Sequence, residues 1–180
     1  MSITSKTGDD GTTGLLFGRR TSKTDDRIFA CGAIDELSAV LGMARSQMSE
    51  FPESAETLFT IQKHLIKLTS RVMVLPSDCE RFKNSGFEVI GQQDIGWIER
   101  NIHSLESRIP PVQEWVIPGD NQLSALLHFA RTVCRRAERR LWKVLRSDEV
   151  DDFLELRKDA VYLNRLSDFL WVLARQSNGR

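Results

Sequence analysis

The run ARTVCRRAERRLW, Ala130 to Trp142, constrains this chain more than any other stretch, because it sets five arginines beside a clean apolar stripe at helical spacing. On a wheel of about 100° per residue, Leu126, Ala130, Val133, Cys134, Ala137, Leu141 and Val144 share one sector. Glu138, Arg131, Arg135 and Arg139 rise along one flank of that sector, and Arg136 and Arg140 lie on the other, toward solvent. A helix of this kind buries its stripe against other elements. A guanidinium beside the stripe cannot lose its charge, and desolvating it unpaired is costly, so Arg131, Arg135 and Arg139 call for an acidic or phosphorylated partner.

Other segments carry the same period. Arg27 to Met48 places Ile34, Leu37, Leu41, Ala44 and Met48 on one face, and Pro52 closes it. A second helix spans about Ser54 to Val74, a third Gln92 to Ser107 ahead of Pro110 and Pro111, a fourth Asn121 to Arg146, and a fifth Asp151 to Gln176. No stretch of four or more residues alternates as a strand would. The expectation is an all-α chain, a five-helix antiparallel bundle with an ordered N-terminal nucleotide-binding loop. The 180 residues, 41% of them apolar, suit one domain over 1–180, with the loop at 1–26 and the bundle at 27–177. Residues 76–90 mix turn formers with few periodic positions and read as a loop without an assigned role.

Composition excludes several functions. Lys plus Arg and Asp plus Glu both number 25, and this balance argues against a nucleic-acid binder, as does the glutamate inside the basic run. Cys31, Cys79 and Cys134 are unpaired in pattern, as in a reducing compartment. No apolar run reaches the roughly 18 residues a membrane span needs, and no signal-peptide pattern opens the chain, so the expected compartment is the cytoplasm. His64, His103 and His128 lack ligand spacing, and no metal site is expected from the protein alone.

Five short constellations could carry chemistry. SKTGDDGTTG, Ser5 to Gly14, has glycines that let successive N–H groups converge on an anion, with Lys6 to add charge. It is not a Walker A sequence, and two readings stay open, a phosphate cradle and a flexible tail. Arg20 and Lys23 follow as a further pair of cations. Asp35, beside the stripe of the first helix, is a candidate carboxylate for Arg131 or Arg135, with a plain surface role equally open. Trp115, in a connecting segment, reads first as a core plug. Asn164, Asp168, Trp171 and Arg175 line one strip of the last helix, which therefore has neighbours on both sides.

Taken in order, SKTGDDGTT, GRRTSK, AIDELSAVLG, WVIPG, ARTVCRRAERR and YLNRLSDFLWVLAR resemble the ATP:cob(I)alamin adenosyltransferases of the trimeric helical-bundle kind, over nearly the whole chain. The resemblance implies a homotrimer with sites at subunit interfaces, moving the 5′-deoxyadenosyl group of ATP to the cobalt of cob(I)alamin and releasing triphosphate. It implies that Ser5, Lys6, Thr7, Gly8, Asp9, Gly11, Thr13, Gly14 and Lys23 hold ATP from one subunit. Arg135, Glu138, Arg139 and Asn164 hold it from the neighbour. Asp35 pairs with Arg131 across the interface, and Trp115 faces the corrin; Asp35, Trp115, Arg131 and Arg135 form the catalytic group. Mg²⁺ would arrive on the ATP phosphates, near Asp9 or Asp10. The further partner the resemblance implies is a flavoprotein reductase or a cobalamin-dependent enzyme. The cobalt is the nucleophile, so no protein base is needed, and the protein supplies position and charge.

Three positions depart from the pattern: Asp10 where a basic residue is usual, Trp115 for phenylalanine, and Asp120 for a second glycine. An acid beside the triphosphate would weaken ATP binding or favour Mg²⁺. The competing reading is a non-catalytic carrier or sensor that binds ATP and cobalamin with the same fold.

Overall fold

The computed structural model describes residue 4 and residues 6–111, 115–147 and 153–178, the side chains of 153–155 excepted. A hairpin of β1 (Thr12–Gly14) and β2 (Arg20–Ser22) comes first. Helices α1 (Asp26–Ser46), α2 (Pro52–Val72), α3 (Cys79–Lys83), α4 (Gln92–Glu106), α5 (Gln122–Ser147) and α6 (Phe153–Gln176) follow. The five long helices match the periodic segments to within about two residues at each described end. The hairpin corrects the expectation of no strands: three-residue strands are too short to alternate visibly. Within 76–90, a 3-10 turn at Pro76–Asp78 and the five-residue α3 replace the expected loop.

Local chemistry sets the helix ends. Asp25 accepts the Arg27 amide at 2.8 Å to open α1, and Asn121 accepts that of Ser124 at 2.8 Å to open α5. Pro52 begins α2, where its missing N–H costs nothing. The buried Arg27 donates to the carbonyl of Val72 at 3.0 Å, satisfying the end of α2 with a cation.

Side-chain links fix the directions of the helices. Lys143 meets Asp26 at 2.8 Å and Arg136 pairs with Glu36, so α1 and α5 are antiparallel. The Cys134 thiol reaches Leu163 O at 3.2 Å and Asn121 reaches Ser177 O at 3.0 Å, so α5 and α6 are antiparallel as well. Arg165 meets Glu99 at 2.9 Å, while Arg175 meets Pro110 O at 2.8 Å just past α4, so α4 and α6 run the same way. Around the bundle the order is α4, α6, α5, α1, α2. The core is aliphatic, with Leu37, Leu41, Leu58, Leu65, Leu127, Leu141, Leu166 and Leu170 fully buried.

A polar junction centred on His64 crosses this core. The His64 ring on α2 bonds Tyr162 Oη on α6 through Nδ1 at 2.8 Å and faces Asp94 on α4 through Nε2 at 3.2 Å. Trp97 meets the same ring edge-on at 5.4 Å. Burial pushes the His64 pKa down, against a smaller opposing pull from Asp94, so the ring is neutral in the fold. A histidine with a lowered folded value takes up a proton on unfolding, so its contribution is present at neutral pH. It is lost as pH falls below the ordinary histidine value of about 6.5. The expected result is a Tm that drops between pH 7 and pH 5, with a flatter slope in His64→Gln; an unchanged slope would remove this role.

Candidate functional site

Two cationic clusters stand apart on the chain. The first is the N-terminal loop, anchored by the apolar residues that follow it. Leu15 is buried, and the amide of Leu16 donates to Met73 O at 3.1 Å, just past the end of α2. The guanidinium of Arg19 grips Asp78 through two bonds of 2.8 and 2.9 Å, and that hydrogen-bonded cation holds the Asp78 carboxyl below its ordinary value. Arg81 lies over the Phe17 ring at 4.4 Å. The segment 76–83 thus gains a role that its composition did not reveal: it is the dock for the hairpin.

Ahead of this anchor the glycine loop is folded on itself, which sets aside the reading as a flexible tail. Arg20 donates to Thr7 O at 2.5 Å and to the Thr12 hydroxyl. Asp10 accepts from the amide and hydroxyl of Thr12 at 2.9 and 2.7 Å, and these bonds lower its pKa. Asp10 therefore ties the turn together and stands 3.7 Å from Arg20. Its carboxylate is partnered within the loop. The amide of Lys23 donates to Gly11 O at 2.9 Å, which sets the turn just after β2 against the glycine loop.

The turn needs two left-handed residues, Lys6 at φ 56° and Gly11 at φ 81°. Gly8 matters by its small size. A Cβ there would sit 3.2 Å from Cε and Nζ of Lys23 and from the backbone O of Thr12, so a side chain at this position would crowd the Lys23 amine that lies across the loop. The structure thus brings together Thr7, Gly8, Gly11 and Lys23, with Thr13 and Gly14 in the strand beside them. Lys6 and Asp9 share the same turn, the Asp9 amide donating to Lys6 O at 3.4 Å. Ser5 lies outside the described residues.

The second cluster is an open groove of about 510 Å³. Its floor is α6, with Asp168 and Trp171; Arg131 and Arg135 of α5 form one wall and Glu99, His103 and Glu106 of α4 the other. The strip on α6 noted in the sequence is this floor, in part. Asn164 lies next to it and accepts from Arg165 at 3.1 Å, and Arg175 sits over the Trp171 ring at 5.3 Å. Glu138 and Arg139 continue the α5 flank beyond the groove. No described residue of the N-terminal loop lines it.

The expectations for Trp115 and for Arg136 and Arg140 change. Trp115 is 98% exposed, so it is no core plug; the connecting segment holds it out in solvent, with Ile117 at 80% beside it. Asp35 is exposed, and no described contact joins it to Arg131 of the same chain, whose Nε is buried without a hydrogen-bond partner among the described residues. Arg136 and Arg140 are not free surface charges: the first pairs with Glu36, the second covers the Phe29 ring at 5.0 Å. Burial pushes the Cys31 thiol up to about 12 and the Cys134 thiol higher, so neither offers a thiolate at neutral pH.

Sequence reasoning missed Arg19 and Asp78, whose pairing spans two segments with no shared period. It also passed over Ser124 and His128, buried polar residues at i−7 and i−3 from Arg131 on α5. The signal was present in that spacing, which puts them in one row with Arg131 and Arg135.

The model of the cobalamin adenosyltransferases matches residues 3–177, and the chain belongs to that family. The corrinoid adenosyltransferase of Bacillus subtilis (strain 168) is 33% identical over all of this chain and 88% of its own length. The human protein, corrinoid adenosyltransferase MMAB, is 35% identical over 96% of this chain and 67% of its own. Against the PduO protein of Citrobacter freundii, 37% identical over 97% of this chain, the chain spans 49% of the relative's length. Among solved structures, a Phe-to-Ala variant of the PduO-type ATP:corrinoid adenosyltransferase from Lactobacillus reuteri, complexed with cobalamin and ATP, superposes with a TM-score of 0.88. That match has 29% identity and covers 99% of this chain and 94% of the other. An Arg-to-Lys variant of that enzyme complexed with ATP gives a TM-score of 0.84 at 28% identity, over 98% and 94% of the two chains.

The hairpin dock is open to a direct test. Arg19→Ala should leave helical content unchanged while the Leu16 amide exchanges with solvent at least about tenfold faster, as expected for one lost charge-assisted pair. An unchanged exchange rate would show that the apolar anchor holds the loop alone.

Proposed function

We propose that the protein transfers the 5′-deoxyadenosyl group of ATP to the cobalt of cob(I)alamin, giving adenosylcobalamin and triphosphate, in a site shared between two copies of the chain. The observation that carries this reading is the separation of two cationic half-sites, the Gly8–Lys23 loop on the α2 side and the Arg131–Arg135 wall on the α6 side. A triphosphate held by both needs the loop of one copy and α5 of another. The exposure of Asp35 and the place of Arg131 on the wall of an open groove fit a pair made between copies. A homotrimer, the assembly implied by resemblance, closes such contacts in a ring.

In this arrangement Lys6 and Lys23, with the N–H groups of the Gly8–Gly11 turn, hold the phosphates from one copy. Arg135 and Arg139, aligned by Glu138, approach from the other, with Asn164 toward the ribose. Mg²⁺ enters as a companion of the phosphates. When the cobalt attacks the ribose 5′ carbon, the C5′–O bond breaks and negative charge grows on the departing triphosphate. Cations aimed at that oxygen stabilise the transition state more than bound ATP. No side chain has to remove a proton, and the buried Cys31 and Cys134 thiols, held protonated, are not called on. Trp115, fully presented to solvent, offers an indole face to the corrin and keeps water from the cobalt. No helix is long and apolar enough to cross a membrane among the described residues, and the cytoplasm is the proposed compartment.

The test is turnover with MgATP and chemically reduced cobalamin, followed by the absorbance of the light-sensitive alkyl product. Lys6→Ala and Arg135→Ala should each lose at least about a hundredfold in rate, the usual scale for one lost transition-state contact. Refolded together as mixed oligomers, the two inactive variants should regain turnover, since some sites then combine an intact loop with an intact α5. ATP binding without product in the wild type would favour a carrier, and failure of the mixture to recover would place both residues in a single-chain site.

A further inference from the structure

Three polar groups lie in succession along the α6-side flank of α5. The Ser124 hydroxyl, both ring nitrogens of His128 and Nε of Arg131 are buried, and none has a hydrogen-bond partner among the described residues. Ser124 is 1% and His128 4% exposed, so solvent does not satisfy them. Each such group costs about 1–3 kcal/mol when left unpaired, and three in one row are not an accident of packing. Their spacing, i, i+4 and i+7, stacks the side chains on one face within reach of each other.

The groups are also chemically complementary. Arg131 Nε–H can only donate, a neutral imidazole accepts at one nitrogen and donates at the other, and a serine oxygen accepts. The ring is neutral here: burial lowers the His128 pKa first, and the nearby charge of Arg131 lowers it further, against a smaller pull from Asp120. One set of small side-chain rotations therefore satisfies the row, with Arg131 Nε–H donating to one His128 nitrogen and the other His128 N–H donating to Ser124 Oγ. The serine hydroxyl proton is left for a backbone carbonyl one turn back.

We infer that Ser124 and His128 are positioning residues that close into this relay when the groove is filled, fixing the plane of the Arg131 guanidinium so that its two terminal nitrogens face outward. A guanidinium held at Nε loses its swing about the last side-chain bond, and its terminal fork then meets a carboxylate or phosphate in a single orientation. The inference rests on the proposed use of Arg131 in adenosyl transfer for its effect on rate, but the hydrogen bonds themselves do not depend on it.

The experiment therefore has two arms. In the first, turnover is measured for wild type, His128→Phe, His128→Asn, Arg131→Lys and the double variant His128→Phe with Arg131→Lys. Phenylalanine fills the buried space, so Tm and helical content should hold while kcat falls on the order of tenfold to a hundredfold, with KM for ATP moving less. Asparagine keeps an acceptor and should recover part of the loss. Lysine has no guanidinium Nε–H for His128 to hold, so the double variant should be no slower than Arg131→Lys alone. Wild-type kcat in His128→Phe, or losses that multiply in the double variant, would overturn the relay.

In the second arm, nitrogen NMR of the ATP-bound protein should show His128 as one neutral tautomer and a slowly exchanging Arg131 Nε–H, lost in His128→Phe. An Nε–H signal that is the same in both proteins would overturn the relay whatever the turnover. Its presence in a wild type that makes no product would sink the enzymatic reading and leave the relay standing.

Discussion

An arginine side chain cannot shed its charge, and on α5 Arg131, Arg135 and Arg139 stand beside a largely buried apolar stripe. Most of the architecture can be read as an answer to that condition. The α1 side of the helix partners its cations within the chain, Arg136 with Glu36 in an ion pair and Arg140 over the Phe29 ring. The α6 side does not. There Arg131 and Arg135 open onto a groove whose opposite wall carries Glu99 and Glu106, too far across to be their described partners. Charge settled on one flank and left open on the other separates the structural face of a helix from its working face.

The N-terminal loop meets the converse problem, since a run of glycine, threonine and aspartate has little to bury. It is made rigid by polar bonds to its own backbone, from Arg20 and Asp10, and by an apolar anchor clamped at the end of α2. Lys23 then lies over Gly8 because no side chain occupies that space. A preformed loop of this sort spends little entropy in taking up an anion, which is where its contribution to binding would come from.

The helices were legible because a period of 3.6 is written at every turn, and buried leucines in α1, α2, α5 and α6 repeat it over many turns. The family was legible for a different reason: six short motifs in order carry information that none holds singly. What stayed hidden had no period to display. The hairpin uses three-residue strands, and Arg19 finds Asp78 across 59 positions. The junction of His64, Tyr162 and Asp94 joins three helices through residues that look unremarkable in each. Trp115 misled because a large indole in a connection is usually buried; here the chain holds it in solvent, and only the structure could show it.

In the proposed site one copy supplies the loop and another supplies α5. The decisive measurement is a zero-length carbodiimide cross-link between Lys23 and Glu138, made with ATP bound in an oligomer assembled from equal amounts of light- and heavy-isotope chains. The linked peptides should include pairs of mixed label, with about half of the cross-links joining light to heavy, the random-pairing value for contacts between copies in a closed ring. Cross-links joining only peptides of the same label would place both half-sites on one chain and contradict it.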